Sequence, residues 1–332
     1  MSLPAAPPLP VLAHLPAVLE TVRPELEVLE ERLRANTGLY QPALRQLLEW
    51  VFSSGGKRIR PAIVFAAARL GRADPAVLTN MAAGIETLHT ATLVHDDLVD
   101  GSLVRRGLPT LNTRWNAGAT VLAGDWLFAR AARFTAETEN IRVVQIFART
   151  LATMTDGELQ QLLGRSGVPD REQYDFRIYA KTASLFEAAT ESVGVLLGVP
   201  EPQVNALARY GCELGKAFQI ADDILDFTGD PAHLGKPVGG DLRSGTVTLP
   251  VLLHLAAHPS AAPWLDAGAE PTTDEVDLLI EAVRADRVAL DAAHAAAAAH
   301  KDRAVAALGV FPPGPARTNL ERIAAFIVAR DV

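Results

Sequence analysis

The chain has 332 residues, 49% of them hydrophobic and 21% charged, with a formal net charge of −8. That is apolar material enough for one large domain or two ordinary ones. The acidic balance, with an isoelectric point near 5.5, argues against nucleic acid as a partner, so any anionic ligand must be held by a local group of Lys, Arg or metal. The single cysteine, Cys212, excludes a disulfide framework and suits a reducing, cytoplasmic location.

Residues 1–14 are too rich in Pro for a signal peptide, lack an early Lys or Arg, and read as a flexible arm ahead of one domain over 15–332. Beyond it nearly every segment carries apolar residues at i, i+3, i+4 and i+7, the signature of an amphipathic helix. In chain order these are 41–52 (QPALRQLLEWVF), 60–71 (RPAIVFAAARLG), 78–100, 119–138, 141–163, 179–198 and 204–229. The stretch 289–308 is an Ala-dominated helix. Ala favours helix, and alternating β-branched runs are absent. An all-α domain of ten or more helices is expected. No apolar run of 18 residues is free of Pro or charge, so no spanning helix is expected.

Two of the breaks between helices carry charge. SSGGKRIRP (53–61) sets Lys57, Arg58 and Arg60 at a helix start, where free N–H groups and the helix dipole favour anions. GDPAHLGKPVGGDLRSG (229–245) is Gly-rich, holds Lys236 and Asp241, and reads as a lid.

The most informative feature is a pair of aspartate pentads, Asp96-Asp97-Leu98-Val99-Asp100 and Asp222-Asp223-Ile224-Leu225-Asp226. On a helix, residues i and i+4 stack on one face, so Asp96 projects with Asp100 and Asp222 with Asp226. One such motif alone is most often a charged surface patch. Two, each flanked by Leu, Ile, Val and Phe, are different: apolar helices lose free energy by desolvating stacked carboxylates unless a cation neutralises them. Mg²⁺ with oxygen ligands does this, commonly bridging carboxylates to substrate phosphates. Arg105 and Arg106 follow the first pentad, and Lys181 lies in YAKTASLF. Each cation alone is ordinary surface charge. Grouped with the carboxylates, they describe a pocket for a diphosphate with a hydrocarbon tail.

At this point the chain resembles the trans-isoprenyl diphosphate synthases of the polyprenyl synthetase family, long-chain type. The matching pieces are GGKRIRP (55–61), HTATLVHDDLVDGSLVRRGLPTLN (89–112), GDWL (124–127), KTASLF (181–186), GKAFQIADDILDFTGD (215–230) and LGKPVGGDLRSGTVTLP (234–250). The resemblance implies the isoprenoid synthase fold, an all-α bundle around a central cavity, and a homodimer. It implies three Mg²⁺ ions, two on the first pentad through Asp96 and Asp100, with Asp97 beside them, and the third on Asp222 with its neighbours Asp223 and Asp226. Arg105, Lys181 and Lys236 would hold an allylic diphosphate, farnesyl or geranylgeranyl. Lys57, Arg60, His89 and Arg106 would hold isopentenyl diphosphate. Thr182 and Gln219 would line the reacting region. Helix geometry agrees in part, since His89 and Gln219 share the carboxylates' face. The expected reaction is repeated head-to-tail condensation, with peripheral membrane contact for release of the product.

Product length is read the same way. Short-chain members place bulky aromatics at the fourth and fifth positions before the first pentad, and here those are the small Thr92 and Ala91. Ala132 opens a second floor, so a hexaprenyl to decaprenyl product, octaprenyl above all, is expected. The alternatives are a short-chain geranylgeranyl or farnesyl synthase, a terpene cyclase, and a subunit of a heteromeric synthase. A cyclase would not need GGKRIRP or Arg106 for a second diphosphate, and a non-catalytic subunit usually lacks a pentad. One departure stands out: the family often has Lys where GTVTLP has Thr246, which removes one cation from the lid.

Overall fold

The computed structural model describes residues 16–35, 41–53, 56–105, 107–163, 167–229, 238–267 and 271–329. The expected N-terminal arm lies outside them. A 3₁₀ turn over Ala17–Val22 leads into α1 (Arg23–Arg34), then α2 (Pro42–Ser53), α3 (Ile59–Ala68) and α4 (Pro75–Val99). A short antiparallel pair of two-residue strands, β1 (Val104–Arg105) with β2 (Leu108–Pro109), is a departure from helix that the period did not suggest. There follow α5 (Leu111–Arg114), α6 (Ala117–Ala136), α7 (Ile141–Leu163), α8 (Arg171–Ile178), a π-helical turn (Tyr179–Ala183), α9 (Ser184–Leu196) and α10 (Glu201–Thr228). The chain continues through α11 (Gly240–Arg243), α12 (Leu249–Ala257), α13 (Pro263–Ala267), α14 (Thr273–Ala285), α15 (Arg287–Ala307) and α16 (Pro315–Ala329).

The starts of these helices have local causes. Asp74 caps α4 by accepting from the Ala76 amide, with Pro75 at the first helical position. Asn116 caps α6, and the capping boxes Asp170/Gln173 and Thr272/Glu275 open α8 and α14. The sequence pattern passed over α1, α8, α12, α14 and α16, and the break at 229–245 contains the short α11. Among the described residues no helix is long and apolar enough to cross a membrane.

The chain divides into two compact units. The first comprises the described parts of 1–148, 188–204 and 313–320, the second those of 149–187, 205–312 and 321–332. In the first, α4 and α6 pack along each other at a separation set by glycine. A Cβ at Gly84 would lie 2.7 Å from Thr135 Oγ1, and one at Gly124 only 2.1 Å from His95 Nε2. Leu47, Leu48 and Val51 of α2 close a core with Ala91 and Val94 of α4 and Ala123 and Leu127 of α6. In the second unit, Tyr174, Ile178, Ile220, Ile224, Leu249, Ala293 and Ala297 join α8, α10, α12 and α15. Here too glycine permits close approach: a Cβ at Gly157 would meet Ala180 Cβ at 2.4 Å, and one at Gly215 would meet Ala183 Cα at 2.5 Å. The π turn is therefore clasped by α7 and α10.

Candidate active site

Each pentad falls at the C-terminal end of a long helix. α4 stops at Val99 with Asp100 as its C-cap, and Asp222 to Asp226 occupy the last two turns of α10. The last carbonyls of a helix carry partial negative charge, so carboxylates gathered there raise an already unfavourable potential. Such an oxygen-only donor set fits a hard divalent cation.

In the first unit, Asp96 is half-buried and Asp100 exposed, whereas Asp97 is 7% exposed. Asp97 Oδ1 accepts from Arg105 Nε at 2.7 Å, so this acid orients a cation that the resemblance assigns to a diphosphate. Asn112 Nδ2 donates to the carbonyls of Asp97 (3.2 Å) and Ser102 (3.1 Å), holding the segment after the pentad against the helix end. His89, Asp97 and Arg105 line one cleft together with Arg58, Glu86 and Thr90, and with Trp50, Leu93 and Leu108 as apolar wall. Arg106 lies outside the described residues.

Within GGKRIRP, Arg58 is set apart from Lys57 and Arg60. It is buried and adopts a left-handed backbone (φ 48°) at the start of α3. Its Nε donates to Glu30 Oε1 at 2.5 Å and its terminal nitrogen to Glu86 Oε1 at 2.7 Å. Burial opposes its charge, but Glu86 and Glu30 outweigh that and raise its pKa further. Arg58 is therefore an anchor joining α3 to α1 and α4, flanked by exposed Lys57 and half-buried Arg60. Glu86, an acid inside the apolar run MAAGIETLH, was the signal in the sequence for such a partner.

The chain-length residues separate. Thr92 is half-buried, its hydroxyl donating to the His89 carbonyl at 2.8 Å. Ala132 is exposed on α6. Ala91 has no exposed surface and sits inside the α2–α4–α6 core. Its neighbourhood is one of packing, and the chain-length role assigned to it has only the resemblance behind it.

In the second unit a hydrogen-bonded chain runs from the π turn to the pentad. Thr182 Oγ1 donates to Gln219 Oε1 (2.6 Å), Gln219 Nε2 to Asp223 Oδ1 (2.9 Å), and Tyr174 Oη to Asp223 Oδ2 (2.7 Å). Both Asp223 oxygens are thus engaged, and the residue is 2% exposed. Burial pushes its carboxyl up to about 7, against the pull of Gln219 and Tyr174. Asp223 orients Gln219, and its neighbour Asp222 is half-buried. Asp226 is buried, and its Oδ2 accepts from the Asp241 amide at 3.1 Å, while its carbonyl accepts from Gly239 at 2.8 Å. The pentad's end is thereby tied to the start of α11. Thr246 belongs to the same junction, its amide donating to the Asp241 carbonyl at 2.8 Å. Lys236 lies outside the described residues.

Lys181 and Thr182 sit within the π turn, a single-turn widening that often marks functional positions. Lys181 Nζ is 3.1 Å from Glu158 Oε1, in a pair with both side chains well exposed. Exposed pairs of this kind are worth about 1 kcal/mol at most, so exchange for a diphosphate oxygen costs little. Of the residues expected at the site, Thr182 and Gln219 meet in one hydrogen-bonded chain; Tyr174, Asn112 and Glu158, which touch expected site residues through long-range contacts, were not among those expected.

A solved polyprenyl synthase from Caulobacter crescentus CB15, complexed with calcium and isoprenyl diphosphate, matches with a TM-score of 0.87 at 38% identity, over 95% of this chain and 97% of that one. The fold is accordingly the all-α isoprenoid synthase fold, and the molecule is a prenyltransferase. The chain belongs to the polyprenyl synthetase family, whose model matches residues 41–285. It is 38% identical over 320 residues to heptaprenyl diphosphate synthase component 2 of Geobacillus stearothermophilus, covering 96% of this chain and 99% of that protein. It is also 38% identical over 294 residues to the octaprenyl diphosphate synthase of Escherichia coli K12, covering 87% and 90%.

Proposed function

We propose that this chain is a Mg²⁺-dependent, head-to-tail prenyltransferase that elongates farnesyl or geranylgeranyl diphosphate with isopentenyl diphosphate into a long all-trans polyprenyl diphosphate, octaprenyl or a near neighbour. The observation that carries the reading is the pair of aspartate pentads, each at the C-terminal end of a long helix whose dipole and carboxylates together call for divalent cations. Asp96, Asp100 and Asp222 would hold three Mg²⁺ ions, with Asp226 at the lid junction. When bound, the ions stabilise negative charge on the departing diphosphate as the allylic C–O bond ionises. Arg105, oriented by Asp97, acts with Lys181 and Lys236 to grip the allylic diphosphate. Lys57, Arg60, His89 and Arg106 hold isopentenyl diphosphate so that its double bond meets the allylic carbon. Asp223 fixes Gln219, and Gln219 fixes Thr182, beside the reacting carbons. After the allylic C–O bond has broken, the isopentenyl double bond attacks the allylic cation to form the new C–C bond, and a proton leaves to an oxygen of the released diphosphate. The enzyme works as a single-domain homodimer in the cytoplasm and touches the membrane peripherally to release its product.

Turnover of labelled isopentenyl diphosphate with an allylic primer, with and without Mg²⁺, tests this directly. Metal-dependent formation of linear products longer than geranylgeranyl diphosphate is expected. Cyclised hydrocarbon from the primer alone would overturn it. So would a chain active only when a second polypeptide is added.

A further inference from the structure

Outside both pentads and all the cationic groups above, three metal-ligating side chains converge in the second unit. His254 lies in the last turn of α12 and His258 immediately follows the helix end, so the HLAAH spacing brings both imidazoles to one side. Asp286 is the N-cap of α15, its Oδ1 accepting from the Ala289 amide at 3.0 Å. That hydrogen bond fixes the carboxylate and leaves Oδ2 aimed at the histidines, 2.7 Å from His254 Nδ1 and 3.7 Å from His258 Nε2. One donor atom from each residue falls within 4.8 Å of the other two. The two rings lie 4.6 Å apart between centroids.

We infer that His254, His258 and Asp286 form a binding site for a divalent transition metal of the zinc class, which pins the end of α12 to the start of α15. Bonds of ~2.0–2.2 Å to nitrogen and oxygen in a tetrahedral site put neighbouring ligand atoms ~3.3 Å apart. The observed 2.7 and 3.7 Å from Asp286 Oδ2 bracket that spacing, and the three donor atoms all lie within 4.8 Å of one another, so an entering cation draws the two imidazoles together and replaces the hydrogen bond between His254 and Asp286. Two histidines and one carboxylate leave a fourth position for water, on the side of His258, whose side chain is 57% exposed. His254 and Asp286 are largely buried and form the rigid part of the site. Imidazole donors select zinc, cobalt or nickel over magnesium, which takes oxygen. The site is thus chemically separate from the carboxylate pentads. The carbonyl end of α12 adds favourable potential for a cation held beside its last turn.

The test uses the full chain, stripped with chelator and kept in excess Mg²⁺ so that the pentads are occupied, then titrated with Co²⁺ and with Zn²⁺. Wild type should take up one Co²⁺ with the intense visible absorption of four-coordinate cobalt, and Zn²⁺ should abolish the band and raise the unfolding midpoint. His258→Ala is exposed and leaves the fold intact; it should weaken binding by more than about 100-fold, beyond the loss seen for ligand-supporting groups. Asp286→Asn keeps the cap to Ala289 yet loses the anionic ligand, and should do the same. Prenyl transfer at saturating Mg²⁺ should be unchanged in His258→Ala. Equal Co²⁺ spectra or equal Zn²⁺ shifts in wild type and His258→Ala would overturn the inference, as would a weak six-coordinate spectrum in wild type; the three side chains would then be a hydrogen-bonded helix cap and no more.

Discussion

Replacing Tyr174 by Phe removes one hydroxyl from a site where Tyr174 is fully buried and its partner Asp223 nearly so. The ring packing stays, so the change isolates the 2.7 Å hydrogen bond to Asp223 Oδ2. Burial holds the Asp223 carboxyl near 7, well above the ordinary 3.8. Burial first, then Asp223, also raises the Tyr174 phenol well above its usual value, so it remains a donor in alkali. In the metal-free protein, between about pH 4 and pH 7, folded Asp223 keeps a proton that the unfolded chain has lost. Stability therefore falls as pH rises through that window, on the order of 4 kcal/mol at most, and levels off above it. At pH 5 the hydrogen bond joins two neutral groups and its loss costs about 1 kcal/mol; at pH 9 it serves a buried carboxylate and its loss costs about 2–3 kcal/mol. Urea unfolding of wild type and Tyr174→Phe at both pH values, with EDTA present, measures the difference. The variant's own pH slope should extend to higher pH, because a group that stabilised the anion is gone. A cost that is equal at the two pH values, or smaller at pH 9, would refute the reasoning and place Asp223 among ordinary ionised carboxylates.

Asp96→Ala and Asp222→Ala should lower kcat by orders of magnitude, because each removes charge stabilisation felt most in the transition state, whereas Asp97→Ala should mainly raise the primer KM by freeing Arg105; steady-state kinetics separates the two patterns. Thr92→Phe should shorten the product to farnesyl or geranylgeranyl diphosphate with the first condensation nearly intact, as read by reversed-phase chromatography. Ala91→Phe should instead overfill the α2–α4–α6 core and lower stability by about 1–3 kcal/mol, measured by urea unfolding. Arg58→Ala should cost about 3–5 kcal/mol in the same assay, because it strands the buried Glu86 carboxylate without its cation.

Much of the molecule was legible before any coordinates. Helical period, abundant Ala and the Gly and Pro breaks marked the long helices, and the two pentads announced divalent-metal chemistry by setting acids where apolar residues should run. These signals are local: they arise from residues three, four or seven apart on one helix, and the chain carries them wherever it folds. The family resemblance added roles for Lys181, Thr182 and Gln219, and two of these meet in one hydrogen-bonded chain. What the tertiary structure alone decided depends on partners far away in sequence. Arg58 stood at a helix start between Lys57 and Arg60, and only the fold shows Glu30 and Glu86 closing on it. That Ala91, assigned to chain length by the resemblance, packs between α2 and α6 could be seen only in the fold. Asp223 resembled its neighbour Asp222 until Tyr174 and Gln219 took both its oxygens. His254 and His258 are four residues apart at the end of α12, but nothing local to them shows that Asp286, at the start of α15, lies beside them. A side chain's type fixes which interactions it can make, but desolvation and distance decide which it does make, and both are set only when helices pack.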